Sequence, residues 1–351
     1  MLNYGVIGCG AVFEAFQARS LLQTRGLRVL TACDIDANKV KRVQQNYNIK
    51  KGTTNYHDLL ADKEIDVVMV NLPQHLHFRL CLDAAQAGKH VYVEKPIATR
   101  LEDARKIIDV CRKNEVKLCV GHQRRFINVD MKAKELIEQG YLGKIFKIRA
   151  ISCWYEKECE IEKKPWLFNF ELGGGGPLMR WGIHKADTLR YLLDQEAIRV
   201  YAEADRFVHC SKDITAEDNC ISLIRFDGGV IAELEVSNSQ QEAGFSRGET
   251  VEIWGDKGTL WYQPSIGLME LYSTKQTNVV GKDSFIKLKL ELDHREFIRI
   301  HQKFVKSIEE GGTIPVSGED GYKALEMVVA SYRSAKELKP MTLPLEIKNR
   351  A

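Results

Sequence analysis

From residue 4 to residue 120 the chain alternates short apolar runs with stretches of helical periodicity, and nothing else in it restricts the fold as tightly. Tyr4–Ile7, Arg28–Cys33, Asp66–Val70, His90–Glu94 and Val116–Val120 are short and apolar, the pattern of strands buried on both faces. Between them lie helical segments, among them one from about Leu76 to Ala87 and another over Leu101–Lys113. In the second, Ala104, Ile107, Ile108 and Cys111 recur at helical spacing. Such alternation predicts a parallel sheet with helices on both faces. It breaks off near Gly121–Phe126, so the expected first domain is 1–122 and the second 123–351. A helix over Val129–Gln139 opens the second domain. Alternating β-branched segments follow at Ile145–Tyr155, Ile198–Phe207, Asn219–Phe226, Val230–Val236, Thr250–Trp254, Thr259–Tyr262, Leu268–Tyr272 and Phe285–Leu292. Asp227–Gly229 and Gly255–Gly258 read as hairpin turns, and helices near His294–Glu310 and Gly318–Lys336 finish the chain. This predicts an α+β domain with a large, mainly antiparallel sheet. Its open face calls for cover, which a second subunit supplies as a homodimer or homotetramer.

Composition narrows the function classes. A chain of 351 residues accommodates two cores. Its net charge of +3 is too small and dispersed to indicate nucleic acid or a membrane surface. The nine cysteines are scattered without a Cys-x-x-Cys, which points to a reduced, cytoplasmic protein with neither a disulfide framework nor a metal site. The first fifteen residues run straight into a strand and turn rather than a signal peptide, and no apolar run reaches membrane-spanning length.

The first strand is followed by Gly8-Cys9-Gly10-Ala11-Val12-Phe13 and an amphipathic helix carrying Phe16 and Leu21. Gly8 permits a tight turn, Gly10 lets the backbone approach a pyrophosphate, and the helix N-terminus offers it amides. The third position of the motif is Phe13 in place of Gly or Ala. The second strand delivers Asp34, an acid suited to accept from ribose hydroxyls and to repel a 2′-phosphate. The expected fold is therefore a Rossmann dinucleotide-binding domain, with NAD favoured over NADP.

Two further stretches carry chemistry. The fourth strand ends in Glu94-Lys95-Pro96. Charges there are costly unless they face a cleft, and the carboxyl ends of such strands are where ligands bind; the alternative is a solvent lysine. Thr99 and Glu102 read as a capping box for the next helix. In the second domain, four glycines, Gly173–Gly176, precede Pro177 and a helix with Arg180 and His184 one turn apart. Such a run implies close approach of the backbone, to a ligand rather than as a loose loop. His184 is open to reading as a base or as a satisfied core histidine.

Together these residues resemble the Gfo/Idh/MocA oxidoreductases, which include glucose–fructose oxidoreductase and inositol dehydrogenase. The match is carried by Gly8-x-Gly10, Asp34, Pro73 with His77, Gly88-Lys-His90-Val, Glu94-Lys95-Pro96, Gly174-Gly-Gly176-x-Leu178 with Gly182-x-His184, and Pro315–Asp320. The resemblance implies NAD(P) across the strand ends, with a sugar or cyclitol hydroxyl over the nicotinamide. It implies cofactor contacts at Gly8, Gly10, Ala11, Val12, Asp34, Leu72, Pro73, His77, Glu94, Lys95 and Gln123. Lys95 would hold the reacting hydroxyl and relay its proton, and His184 would act as base. An ammonium beside a developing alkoxide and a neutral imidazole that takes its proton suit alcohol oxidation without a metal.

The chain departs from that pattern at Arg180, where inositol dehydrogenase-like members carry an aspartate. Arg180 either receives an anionic group of the substrate, or it turns outward or pairs with Glu156, Glu158 or Glu160. Trp166 matches the family's Trp-Arg pair in part, since Leu167 replaces the arginine, and Tyr155, Trp166 and Gln123 are candidate substrate walls. The expected activity is an NAD-dependent oxidoreductase acting on a secondary hydroxyl or ketone of a sugar, sugar acid or cyclitol. Two alternatives stand beside it: a redox-neutral, NAD-dependent glycosidase or lyase using transient oxidation, and a non-enzymatic ligand or NAD sensor.

Overall fold

The computed structural model describes residues 1–157, 165–210, 214–241, 248–275 and 284–346. The chain divides into two compact units: residues 1–126 with 295–322, and residues 127–294 with 323–351. The first unit includes a C-terminal segment that carries the helix Glu296–Glu310.

In the first unit six strands, β1 (Leu2–Ile7), β2 (Leu27–Cys33), β3 (Lys51–Thr53), β4 (Val67–Val70), β5 (His90–Val93) and β6 (Leu118–Val120), form one sheet in the order 3-2-1-4-5-6. Every pairing is parallel. β4 is buried along its whole length, as is β5 after His90, which is why they read as unbroken apolar runs. The order reverses between β1 and β4, the crevice where such sheets bind dinucleotides. The first helical stretch is a π-turn over Phe13–Gln17 that continues as α-helix over Ala18–Gln23. Leu21 is buried there, but Phe16 is exposed and stacks on Phe297. The helix Leu101–Lys113 begins after Arg100 with no side-chain cap, so the Thr99/Glu102 capping box does not form.

In the second unit the strands are β7 (Ile145–Cys153), β8 (Ala197–Asp205), β9 (Asn219–Phe226), β10 (Ile231–Ser237), β11 (Glu249–Gly255), β12 (Gly258–Gln263), β13 (Leu268–Ser273), β14 (Ser284–Lys289) and β15 (Met341–Thr342). They form one sheet in the order 14-13-12-11-7-10-9-8-15. Only the β7–β10 pair is parallel. The helix Ile183–Leu193 packs on β7 and β10, with the helix Asn128–Glu138 against it. Ser331 and Ser334, late in the helix Gly318–Glu337, bond to Ser222 of β9 and to the backbone of Ala202 in β8. The outward-facing positions of the strands keep Ile221, Leu223, Ile231 and Phe285 exposed, interspersed with ion pairs from Arg149 to Glu233 and Glu235. Among the described residues no helix is long and apolar enough to cross a membrane.

Candidate active site

At the switch point the chain leaves β1 through Gly8, whose φ of +102° suits glycine alone; a Cβ there would lie 2.2 Å from the carbonyl oxygen of Asn71. Gly10 differs: a Cβ there meets nothing within 4 Å, so this backbone faces open space of the kind a pyrophosphate needs. Ala11 and Val12 beside it are exposed. The carboxylate of Asp34 stands at the end of β2. It accepts from the backbone N–H of Cys9 at 2.9 Å and of Asp36 at 3.0 Å, with the Lys39 ammonium 3.8 Å away. Asp34 thus pins the glycine turn. The remaining lone pairs of the carboxylate suit a hydroxyl donor such as a ribose supplies. Gln123 begins a short 3-10 turn after β6, and its buried amide oxygen has no partner in the structure. These features fit a bound dinucleotide: an open glycine, an acid fixed beside it, and an orphan acceptor.

His77 is fully buried, and its two ring nitrogens lie 2.8 Å from the carbonyl oxygens of Leu72 and Pro96. The ring clamps the turn after β4 to the turn after β5. Burial pushes its pKa below the usual range, and the two carbonyls oppose that shift. Leu72 and Pro73 remain half-buried at the rim. Glu94 is also turned inward. Its carboxylate is buried and accepts from Gln17, while burial pushes its pKa up to about 6 against the pull of Lys95 and Gln17. Lys95 itself is half-buried, and its charge acts on both Glu94 and His77.

In the second unit His184 lies in the first turn of Ile183–Leu193 and is 3% exposed. Lys185, Asp187 and Thr188 around it are buried as well, so the helix is enclosed on every face, and Lys185 pairs with the buried Glu249. Arg180 sits in the π-turn Leu178–Gly182 immediately before. Its guanidinium grips Glu156 through two bonds of 2.7 and 3.2 Å and lies over the ring of Phe168. Of the two readings of Arg180, the structure shows the pairing with Glu156; Glu158 and Glu160 lie outside the described residues. Tyr155 bridges to Ser239 with its ring 5.8 Å from that of His209, and Trp166 is half-buried in the turn Pro165–Phe168.

Three of the four glycines, Gly173, Gly175 and Gly176, approach the protein itself closely. A Cβ at Gly173 would be 2.9 Å from the Leu167 carbonyl oxygen, one at Gly175 1.9 Å from the Tyr332 hydroxyl, and one at Gly176 1.9 Å from the Glu217 carbonyl oxygen. The Glu217 carboxylate accepts from the N–H groups of Gly176 at 2.8 Å and Leu178 at 3.0 Å, and from the Tyr332 hydroxyl at 2.9 Å. It satisfies amides at the start of the helical stretch that carries Arg180 and His184. Burial pushes its pKa up to about 7. Glu217 is the principal residue of this region that sequence reasoning missed, since nothing in its neighbours marks it as buried.

Comparison with known proteins agrees with this architecture. Residues 2–122 match the GFO/IDH/MocA oxidoreductase family with its NAD-binding Rossmann fold, and residues 131–261 match the GFO/IDH/MocA C-terminal domain. The chain belongs to the GFO/IDH/MocA family of oxidoreductases. This GFO/IDH/MocA protein is 25% identical to myo-inositol 2-dehydrogenase of Thermotoga maritima, over 97% of this chain and 98% of that one. It is 29% identical to 2,7-anhydro-N-acetylneuraminate hydratase of Escherichia coli, over 67% of this chain and 61% of that one. A levoglucosan dehydrogenase in complex with NADH and levoglucosan superposes with a TM-score of 0.84 at 21% identity, covering 98% of this chain and all of that one.

Proposed function

We propose that this family member is an NAD-dependent dehydrogenase that moves hydride between nicotinamide and a secondary hydroxyl or ketone of a neutral sugar or cyclitol. The observation carrying the reading is the rim of the parallel sheet, where Gly10, Asp34 and Lys95 all follow strands of one sheet in a chain whose two halves both match the family. When bound, the nicotinamide supplies the hydride acceptor. Gly10 leaves room for the pyrophosphate, Asp34 accepts from the adenosine ribose, and Gln123 offers its orphan oxygen to the cofactor. Lys95 places an ammonium against the substrate oxygen and stabilises the developing alkoxide; His184, as a neutral imidazole, takes the proton. Arg180 bound to Glu156 presents no net charge, which favours a neutral polyol over a sugar acid. The name of the myo-inositol 2-dehydrogenase relative supports the same class.

Self-association through the open face of the second sheet completes this reading, since that face carries exposed Ile221, Leu223 and Ile231. The hydratase relative favours a second possibility, in which the hydride returns to the product and no net reduced cofactor accumulates. The test is a screen of polyols, aldoses and anhydrosugars with NAD and NADP, following both reduced nicotinamide and product. A ketone formed with stoichiometric NADH supports the dehydrogenase. Product without NADH supports the redox-neutral reading, and tighter NADPH than NADH binding refutes the cofactor assignment.

A further inference from the structure

Behind Lys95 runs a buried chain of three polar side chains from three separate parts of the first unit. Gln17 and His301 are fully buried and Glu94 is 9% exposed. Gln17 closes the π-turn Phe13–Gln17, Glu94 follows β5, and His301 sits in the helix Glu296–Glu310. The Nε2 of Gln17 donates to the Oε1 of Glu94, and the Oε1 of Gln17 lies 2.9 Å from the Nε2 of His301.

The direction of this chain follows from the chemistry of its members. An ionised carboxylate only accepts, so the amide nitrogen of Gln17 faces Glu94 and its oxygen faces His301. His301 must then carry its proton on Nε2, and its buried Nδ1 has no partner. The ring cannot take a second proton, because burial drives its pKa down to about 3. It is therefore a neutral ring that donates through Nε2 in this orientation, wedged against the rings of Tyr92 at 4.3 Å and Tyr4 at 5.8 Å. The other titratable groups acting with Glu94 are Tyr92 and Cys119, both pushed up by burial, which leaves Lys95 as the charge opposite it. The bond from Gln17 favours the charged form of Glu94, and a proton on its Oε1 would need an acceptor where Gln17 presents a donor. Flipping the amide to supply one would turn its nitrogen toward Nε2 of His301, which accepts only once the ring proton has moved to the unpartnered Nδ1.

We propose that Gln17 and His301 are positioning residues that hold Glu94 as a carboxylate beside Lys95 and so keep the Lys95 ammonium charged. The importance of Lys95 rests on the function proposed above, but the chain rests on the hydrogen bonds alone. Competitive acylation with acetic anhydride, read at the Lys95 peptide by mass spectrometry from neutral to alkaline pH, tests it without substrate or cofactor. Removing a carboxylate charge lowers the pKa of a neighbouring ammonium by about one unit or more, so Gln17→Leu and Glu94→Gln should each speed Lys95 acylation at neutral pH by about tenfold. His301→Phe leaves the Gln17–Glu94 contact in place and should shift the titration the same way by a smaller amount; it decides the question if Gln17→Leu fails to fold. A folded Gln17→Leu or His301→Phe variant whose Lys95 titrates as in the native protein overturns the proposal, as does a Glu94→Gln variant without a shift. Because no turnover is read, that outcome is separate from failure of the polyol screen, which bears on the dehydrogenase reading.

Discussion

Gly8 and Gly10 stand two residues apart in one motif, yet the structure predicts opposite consequences for giving each a methyl group. At Gly8 an alanine must hold φ at +102° and bring its Cβ to 2.2 Å from the Asn71 carbonyl oxygen. Left-handed backbone costs about 1–2 kcal/mol and the overlap about 1–3 kcal/mol more. The sum, roughly 2–5 kcal/mol, is a large part of the stability of an ordinary domain. At Gly10 the new Cβ touches nothing and φ is not positive, so the smaller freedom of the unfolded chain should stabilise the protein by about 0.4–1 kcal/mol. That same methyl group stands where the pyrophosphate approaches. Losing one close backbone contact at about 1.4 kcal/mol weakens NADH tenfold. Thermal melts by circular dichroism and NADH fluorescence titrations read the two effects independently. Gly8→Ala should melt well below native, whereas Gly10→Ala should melt at or slightly above it and bind NADH at least tenfold more weakly. A Gly10→Ala protein with native NADH affinity would refute the placement of the cofactor, and a native melt for Gly8→Ala would refute the packing argument.

Other consequences concern the second unit. Glu217 has a folded pKa of about 7 against 4.5 for the unfolded chain, so the folded state holds its proton more tightly. Its contribution is complete below 4.5 and is lost as pH rises through 7, a span worth roughly 3 kcal/mol. Glu217→Gln should flatten that slope in urea denaturation followed across this range; an unchanged slope would contradict it. Lys185→Met leaves the Glu249 charge buried and should cost about 3–5 kcal/mol, most of it regained when Glu249→Leu is added. Additive losses in that double-mutant cycle would show that the pair is not coupled.

How far the sequence disclosed this molecule depended on the range of the interactions. The parallel sheet was legible because β4 and β5 are buried on both faces, and because glycine and acid follow β1 and β2 within a few residues. The helices Ala37–Tyr47 and Tyr56–Ala61 are capped locally by Asp36 and Asn55, but the first is mostly polar and the second too short for a helical period to show. Contacts between distant segments were not legible. The return of residues 295–322 to the first unit brings His301 to Gln17, far away in sequence. Glu217 meets Gly176 across 41 residues, whereas the pairing of Arg180 with Glu156, 24 residues away, stood among the readings the sequence offered. The glycine run announced close approach without naming its partner, and the cap expected at Thr99 gave way to a helix that starts later. The two π-turns, one after each glycine-bearing loop, insert a residue into the helical register that periodicity does not reveal.

The central claim is that Lys95 and His184 handle one proton while hydride moves to NAD. Single-turnover formation of reduced nicotinamide, on the polyol that the screen selects, measures it directly in native, Lys95→Met and His184→Gln proteins. Loss of general acid–base assistance predicts a rate at least about a hundredfold lower in each variant, with NADH affinity within a few-fold of native. Native rates in either variant, or no reduction of NAD by any polyol, would contradict the account.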